Sequence, residues 1–232
     1  MTFNIQHALD YKKQIIDTEL FVGAIKKFEA DICCLNEVRG EGPVEGYTDQ
    51  TNALGDGLGF YRYFGEAIKV EGTSPYGNAV VSRFPFRSAE TVAIPVSKDK
   101  TEDEYHEPRC VIKAINEIDG SDICFLICHM GLSNKERIEA VKTVCGLIDA
   151  TDLPIILTGD FNTTPDDSVL MPIYKRLHDT DEKAENKGVF TYASYSPETK
   201  IDYIFYRGLE CVYSKVITEI YSDHFPIIAE FI

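Results

Sequence analysis

The feature of this sequence that most constrains its fold is a series of short apolar runs separated by clusters of turn-forming residues. Runs of a few apolar residues with such flanks are typical of buried β-strands. On this basis we predict eight strands, at residues 33–35, 79–81, 111–118, 123–128, 155–157, 201–206, 212–217 and 227–232. A further strand begins close to Met1, so we expect that the natural chain, or its first strand, starts farther upstream.

Helical patterns are fewer than strand patterns. One apolar helical face is formed by Leu20, Phe21, Ala24, Ile25 and Phe28, and a second by Ile138, Val141, Cys145 and Ile148. The second helix is predicted to begin with a capping box, in which Ser133 and Glu136 satisfy each other's backbone amides. A third, weaker helix is predicted after Asp167.

The balance of these elements favours layered sheets with helices packed outside them. A doubly wound sheet would need about one helix for each strand, and the pattern offers too few helices. No repeat and no linker-like stretch interrupts the sequence, so we expect one domain over residues 1–232.

The acidic balance of the chain bears on its partners. It has 38 acidic and 23 basic residues, for a net charge of −15. This charge disfavours non-specific binding to nucleic acid or to an anionic membrane, where neutralisation of phosphates supplies most of the affinity. A nucleic-acid substrate remains open, because a divalent metal can supply local positive charge. Residues 99–107 and 179–185 are predicted to be acidic loops.

The seven cysteines are expected to be reduced and structural. Six of them lie in apolar, strand-like runs and lack the paired, loop-borne spacing of a zinc site. Reduced thiols, the lack of an apolar run as long as a membrane span and the lack of a visible signal peptide predict a cytoplasmic protein. The sequence indicates no obligatory protein partner.

Polar side chains recur where the predicted strands end. They are Asn4, Glu37, His129, Asp160, Asn162, Asp202, Asp223 and His224. Taken singly, each has a structural explanation: Asp160 could cap a turn, and His129 could be a satisfied histidine at a sheet edge. Asp202 could pair with the nearby Lys200. Taken together, residues at strand ends can converge at one rim of a layered fold, where binding sites are often built.

In their order along the chain, these residues and four local motifs resemble the endonuclease/exonuclease/phosphatase superfamily, the metal-dependent phosphoesterases related to DNase I. The motifs are GDFNTTP at 159–165, SDH at 222–224, YGNAVVSRFP at 76–85 and PRC at 108–110. The resemblance implies a four-layer α/β/β/α sandwich of the α/β (α+β) class, with two packed mixed β-sheets flanked by helices. It also implies a bound Mg²⁺ or Mn²⁺ and hydrolysis of a phosphate ester.

The resemblance further assigns roles to individual residues. Glu37 would be the main metal ligand with Asn4 beside it, and Asp223 would join the metal shell or fix a histidine. Asp160 would orient or deprotonate the attacking water. His129, His224 and Asn162 would contact the phosphate, and Asp202 would orient His224. Asn78 and Arg109 would make secondary substrate or site-shaping contacts.

These residue types also suit phosphoester chemistry on physical grounds. Mg²⁺ needs oxygen ligands but keeps several waters, so one or two carboxylates suffice. A phosphoester is anionic and repels hydroxide, so its site must provide positive charge and a positioned water. A carboxylate can accept the proton of the water, while an imidazolium with a partner carboxylate stabilises the phosphate oxygens.

The leading hypothesis is therefore a metal-dependent phosphoesterase, acting on a phosphodiester by in-line attack of an activated water. The alternatives are a phosphomonoesterase acting on a small phosphorylated headgroup and a non-catalytic module that binds a phosphorylated ligand. The acidic charge favours a small phosphodiester or nucleotide as substrate. Residues 66–76 and 96–108 are expected to be the loops that set selectivity, and the aromatic clusters at 60–64 and 190–195 could be core or platform.

A catalytic site also makes a geometric prediction. If the polar residues only cap turns, nothing requires them to meet. If they form a site, their side chains must line one cleft at the rim of both sheets. Asp202 must then reach a ring nitrogen of His224 at roughly 2.6–3.2 Å.

Overall fold

The computed structural model describes residues 1–43, 47–101 and 106–232. Within these ranges the strands are, in chain order, β1 (Thr2–Asn4), β2 (Leu9–Asp10), β3 (Ile15–Ile16), β4 (Ile32–Arg39), β5 (Tyr61–Val70), β6 (Ser74–Ser82), β7 (Phe86–Ala93), β8 (Cys110–Ile118), β9 (Ser121–His129), β10 (Ile155–Asp160), β11 (His178–Asp179), β12 (Asp202–Arg207), β13 (Cys211–Val216) and β14 (Ile227–Phe231). The α-helices are α1 (Thr18–Lys27), α2 (Gln50–Leu58), α3 (Asn134–Asp149) and α4 (Met171–Tyr174). Short 3₁₀ turns lie at Gln6–Ala8, Ser168–Leu170 and Thr180–Lys183.

Two six-stranded sheets carry the fold, with strand orders β13-β14-β1-β4-β6-β5 and β11-β12-β10-β9-β8-β7. Each sheet is mixed, because it contains one parallel pair among antiparallel neighbours: β1 with β4 in the first, and β9 with β10 in the second. Parallel neighbours need a crossover connection, and the connections that contain α1 and α3 provide it. β2 and β3 form a separate two-stranded hairpin.

The alternation of side chains along each strand divides the core into layers. In β4, Cys33 and Leu35 pack in the cluster with α1 and α2, whereas Cys34 packs between the two sheets. β9 repeats the pattern, with Leu126 on the side of α3 and Ile127 between the sheets. The layers are therefore α1 with α2, the first sheet, the second sheet, and α3 with α4. The predicted four-layer sandwich is confirmed.

The start of α3 has the predicted capping box. Glu136 N donates to Ser133 Oγ at 3.2 Å, and Ser133 N donates to Glu136 Oε2 at 2.9 Å. The buried stripe of this helix differs from the prediction at three positions. Ile138 is 37% exposed, whereas Ala140 and Val144, which were not predicted, are buried.

Some elements carry no signal in the sequence pattern. β5 and β7 are edge strands with many exposed polar side chains, so they lack continuous apolar runs. The glycines of α2 are poor helix formers. Here, however, Gly55 lies against Arg62 and Gly57 against Val22, and neither site has room for a Cβ atom. Tertiary packing therefore outweighs local propensity in this helix.

The structure corrects other predictions. The helix expected after Asp167 is a 3₁₀ turn followed by α4, which has only four residues. The expected loop at 66–76 consists mostly of the ends of β5 and β6, and the expected acidic loop at 179–185 contains a 3₁₀ turn. The stretches 99–107 and 96–108 include residues 102–105, which lie outside the described residues.

All seven cysteines are buried free thiols. Burial raises the pKa of Cys33 to about 12 and that of Cys124 to about 11, so these thiols are protonated at neutral pH. Protonated, buried thiols behave as small apolar side chains. Among the described residues, no helix has the length and hydropathy needed to cross a membrane.

Candidate active site

The polar residues at the strand ends come together at one rim of the two sheets. Asn4 ends β1, and Glu37 lies near the end of β4, which runs parallel to β1. In the second sheet, Asp160 at the end of β10 lies opposite both His129 of β9 and Asp202 of β12. Because β1, β4, β9 and β10 end at this rim and the antiparallel β12 begins there, their terminal side chains share one region.

Asn4 connects the two sheets at this rim. Its side chain is fully buried, and its Nδ2 donates to Glu37 Oε1 at 2.9 Å and to Asp160 Oδ2 at 3.1 Å. The same nitrogen lies 3.5 Å from Nε2 of His224. Its Oδ1 accepts from the backbone N of Gln6 at 3.1 Å, which orients the amide. In this arrangement Asn4 holds the carboxylate that is the predicted metal ligand.

Glu37 is aimed into the site by an irregularity of its strand. The pairing of β4 with β6 shifts register between Leu35 and Val38, and Glu37 has a φ of +58°. Such bulges and left-handed residues are common next to active sites, where they redirect a side chain. Glu37 Oε2 accepts from the hydroxyl of Tyr76 at 2.8 Å. Burial and the charge of Glu37 raise the pKa of Tyr76, so this hydroxyl stays a donor.

The GDFN motif positions Asp160 through its backbone. Gly159 has a φ of +139°, and a Cβ atom there would collide with the carbonyl oxygen of Cys128 in β9, so only glycine fits. Asn162 has a φ of +49°, a conformation that asparagine tolerates. Its backbone N donates to Asp160 Oδ1 at 2.9 Å, and its Nδ2 donates to the carbonyl of Met130 at 2.9 Å.

Asp160 has the electrostatic environment of a proton acceptor. Its carboxylate is 2% exposed, and its Oδ2 lies 3.5 Å from His129 Nε2 and 3.6 Å from His224 Nε2. Burial raises the pKa of Asp160 to about 7. The positive charge of His224 lowers this pKa, and the negative charge of Asp202 raises it further. A carboxylate with a pKa near neutrality is suited to accept a proton at physiological pH.

His224 forms an ion pair with Asp202 behind the site. Its Nδ1 lies 2.9 Å from Asp202 Oδ2, within the range required by the geometric prediction. Burial alone would lower the pKa of His224, but the charges of Asp202 and Asp160 raise it to about 10. His224 is therefore an imidazolium at neutral pH, with its Nε2 facing the site. Thr191 fixes Asp202, whose backbone N donates to Thr191 Oγ1 at 3.2 Å.

His129 has the opposite protonation state. Arg109 Nη1 lies 2.9 Å from His129 Nδ1, and a guanidinium can only donate, so Nδ1 is the acceptor. The single ring proton is therefore on Nε2, which faces Asp160. Burial and the charges of Arg109 and His224 lower the pKa of His129 well below 6.5. Arg109 is itself held by Glu107, at 3.1 Å.

Asn78 lies one layer behind these groups. Its Nδ2 donates to the carbonyl of Cys110 at 3.0 Å, and its Oδ1 accepts from Asn36 Nδ2 at 2.8 Å. Asn36, which is not among the predicted site residues, also accepts at Oδ1 from the backbone N of Asp160 at 3.0 Å. Both amides are buried, so their place in the structure suits shaping of the site. The signal for Asn36 was a polar residue inside the buried run of β4.

Asp223 and the aromatic cluster lie at the margin of the site. Asp223 Oδ1 accepts from Ser222 Oγ at 2.9 Å, and burial raises the pKa of Asp223. The ring of Tyr192 lies 4.8 Å from that of His224 and is 38% exposed. Tyr195, 59% exposed, packs on Tyr11 at 5.2 Å. The cluster at 190–195 is therefore an exposed surface beside the site, whereas residues 60–64 belong mainly to edge strand β5.

Two groups of side chains have metal-ligating atoms within 4.8 Å of one another: Glu37, His129 and Asp160, and Asp160, Asp202 and His224. The histidines are poor ligands as placed, because Nε2 of His129 carries its proton and His224 is an imidazolium paired with Asp202. The oxygens of Glu37 and Asp160 remain. The half-buried Glu37 and the buried Asp160 offer hard oxygen ligands, the type that Mg²⁺ and Mn²⁺ prefer. Asp202 Oδ1 is buried without a hydrogen-bond partner, which leaves one further acceptor in this region.

Comparisons with known proteins bear on the family and the fold of the chain. The sequence model of the Endonuclease/Exonuclease/phosphatase family matches residues 1–224. No curated protein matches the sequence significantly. Among solved structures, an endonuclease/exonuclease/phosphatase family protein from Leptotrichia buccalis has a TM-score of 0.78 at 23% identity, covering 99% of this chain and 97% of that chain.

Two further structures carry functional names. The mannosyl-6-phosphatase of Bacteroides thetaiotaomicron has a TM-score of 0.73 at 21% identity, covering 93% of this chain and 90% of that chain. The human Nocturnin catalytic domain, solved with bound sulfate, has a TM-score of 0.70 at 18% identity, covering 99% and 92%. These likenesses show the shared fold. The family match over residues 1–224 establishes that the chain belongs to the endonuclease/exonuclease/phosphatase family.

Proposed function

We propose that this protein is a divalent-metal-dependent phosphoesterase that hydrolyses a phosphodiester by in-line attack of a water molecule. The observation that carries the proposal is the environment of Asp160. This buried carboxylate, with a pKa of about 7, lies between Glu37 and two histidines in opposite protonation states. Structural packing alone does not require a neutral imidazole, an imidazolium and two carboxylates to converge.

In the proposed reaction each side chain has one task. Asp160 accepts a proton from the attacking water, and the imidazolium of His224 donates to a phosphate oxygen through Nε2. His129 donates to the phosphate from its neutral Nε2–H, and Asp202 keeps His224 charged and oriented. A metal ion bound by Glu37 would neutralise negative charge on the phosphate and the leaving group. Asn162, half-buried beside Asp160 and His129, is proposed as a phosphate contact.

The charge of the site favours a diester over a monoester. Three carboxylates lie near the proposed phosphate site: Glu37 and Asp160, which both accept from Asn4, and Asp223, which precedes His224 in the chain. A fourth, Asp202, pairs with Nδ1 of His224. His224 supplies a positive charge, and the guanidinium of Arg109 is partly neutralised by Glu107. The side chains alone therefore repel a singly charged diester less than a doubly charged monoester, and the bound metal ion would offset this repulsion in part.

The test is a panel of phosphoester substrates assayed with Mg²⁺, Mn²⁺ or excess chelator. It compares bis-p-nitrophenyl phosphate with p-nitrophenyl phosphate, and then a dinucleotide with a sugar phosphate. We expect metal-dependent turnover that is faster on the diester of each pair. Full activity in excess chelator would refute metal dependence, and preference for monoesters would favour the phosphatase alternative.

Two substitutions locate the metal. Glu37→Gln should weaken Mn²⁺ binding and lower turnover, because it removes the main anionic ligand. Glu210→Gln removes the same charge from an exposed residue between β12 and β13 and should leave both unchanged. Equal Mn²⁺ affinity in the Glu37→Gln variant and the unmodified protein would contradict the assigned ligand.

A further inference from the structure

A buried glutamine joins the two chain segments that follow the metal-site residues. Gln50 is the first residue of α2, and its side chain is fully buried. Its Oε1 accepts from the backbone N of Arg39 at 2.9 Å, and its Nε2 donates to the backbone carbonyl of His7 at 2.5 Å. Arg39 lies two residues after Glu37, and His7 lies three residues after Asn4.

Both segments have backbone conformations that need support. Glu37 has a φ of +58°, and Gln6, His7 and Ala8 have φ values of 43°, 47° and 56°. Residues other than glycine keep such left-handed conformations only where the surrounding structure holds them. The turn at Gln6 has a direct effect on the site, because the backbone N of Gln6 donates to Asn4 Oδ1. The amide of Asn4 is thereby turned so that its Nδ2 faces Glu37 and Asp160.

We infer that Gln50 is a positioning residue for the metal site, an inference that rests on the proposed function. It contacts neither Glu37 nor Asn4 through its side-chain hydrogen bonds, but it ties together the two backbone segments that aim them. The position needs one acceptor and one donor on the same side chain, which a carboxamide provides. Groups that orient metal ligands from behind typically change metal affinity by roughly 10–100-fold when they are replaced.

The experiment measures Mn²⁺ binding by the metal-free full chain, from the electron paramagnetic resonance signal of free Mn²⁺. Gln50→Met removes both hydrogen bonds at similar side-chain length. Gln50→Asn keeps the amide but is one methylene too short to reach both backbone groups. The Asn variant guards against loss of folding better than the Met variant, because its amide can still bond one of the two backbone groups. We expect each variant to bind Mn²⁺ roughly tenfold or more weakly than the unmodified chain.

Asn52→Ala is the matched control for damage to α2. Asn52 is exposed on the same helix, and its side chain bonds Asp49 and Arg62 but no residue of the metal site. This control should lower the melting temperature and leave Mn²⁺ affinity unchanged. Equal weakening by Asn52→Ala would show that the effect comes from the helix, and this would overturn the inference.

The remaining outcomes separate the inference from the proposed function. If the unmodified chain binds Mn²⁺ and both Gln50 variants bind it equally well, the positioning role is overturned and the proposed function stands. If the unmodified chain binds no Mn²⁺, both are overturned. Weakened binding in the folded Gln50→Asn variant, with an unchanged control, supports the inference.

Discussion

Replacing Asp202 by asparagine tests whether the imidazolium of His224 is maintained by its ion pair. The substitution keeps the size of the side chain and removes the charge that lies 2.9 Å from His224 Nδ1. The pKa of His224 is about 10 with this partner, against an ordinary value of 6.5. At about 1.4 kcal/mol for each pKa unit, the rise corresponds to roughly 5 kcal/mol of preference for the charged ring. Asp160 supplies part of this preference, so the share of Asp202 is smaller.

The direct assay follows the imidazole nitrogen chemical shifts of the metal-free protein between about pH 5 and pH 9. In the unmodified chain, His224 should remain doubly protonated over this range. In the Asp202→Asn variant, burial still disfavours the charged ring, and only Asp160 and Asp223 remain to favour it. The pKa of His224 should therefore fall, and the ring should begin to lose its proton within this pH range. Asp152→Asn, an exposed position before β10, removes one charge elsewhere and should leave the titration unchanged.

The same ion pair sets a pH dependence of stability. Because the folded pKa of His224 lies above its unfolded value, its stabilising effect is complete below about pH 6.5. It is lost as the pH rises towards about 10. The difference in melting temperature between the unmodified chain and Asp202→Asn should therefore be large at pH 6 and narrow at pH 10. Turnover should fall by roughly 10²–10⁴-fold. A His224 that titrates near pH 6.5 in the unmodified chain would refute this reasoning.

Other predictions concern the neighbouring groups. Asp160→Asn should abolish most turnover yet raise the melting temperature at pH 8. Burial raises the pKa of Asp160 to about 7, so above that pH the folded protein must hold a buried charge that lowers its stability. The gain should vanish at pH 4, and a variant less stable than the unmodified chain at pH 8 would contradict it. Arg109→Met should raise the pKa of His129 in nitrogen chemical shifts, whereas Arg87→Met, at an exposed ion pair, should not. Alkylation of the denatured, unreduced protein should modify seven thiols by intact mass, and a stable shortfall of two would reveal a disulfide.

The interior strands could be predicted from the sequence because a strand that is buried consists mainly of apolar residues. Strands such as β9 and β10, buried over most of their length, appear as continuous apolar runs. Edge strands β5 and β7 have no continuous apolar run, since much of their surface is exposed, so the sequence pattern does not predict them. The glycines of α2 argue against a helix until the contacts that exclude a larger side chain are known.

The site residues likewise fall into those that the sequence pattern could reveal and those that it could not. Residues that end strands, such as Asp160 and His129, could be found because a polar side chain after an apolar run is visible in sequence. Tyr76 and Gln50 could not, because their importance lies in contacts with residues 39 and 43 positions away. The protonation states of His129 and His224 were equally hidden, since each depends on a partner brought near only by folding.

The contact between the sheets has a chemical consequence as well as a structural one. Asp160 belongs to the second sheet, but its backbone N donates to Asn36 and its Oδ2 accepts from Asn4, both in the first sheet. Asn4 also holds Glu37. The separation between the proposed metal ligand and the proposed base is therefore set by how the two sheets pack. Close-packed interiors resist small displacements, so the apolar layer between the sheets fixes the separation of the two carboxylates on which the proposed chemistry depends.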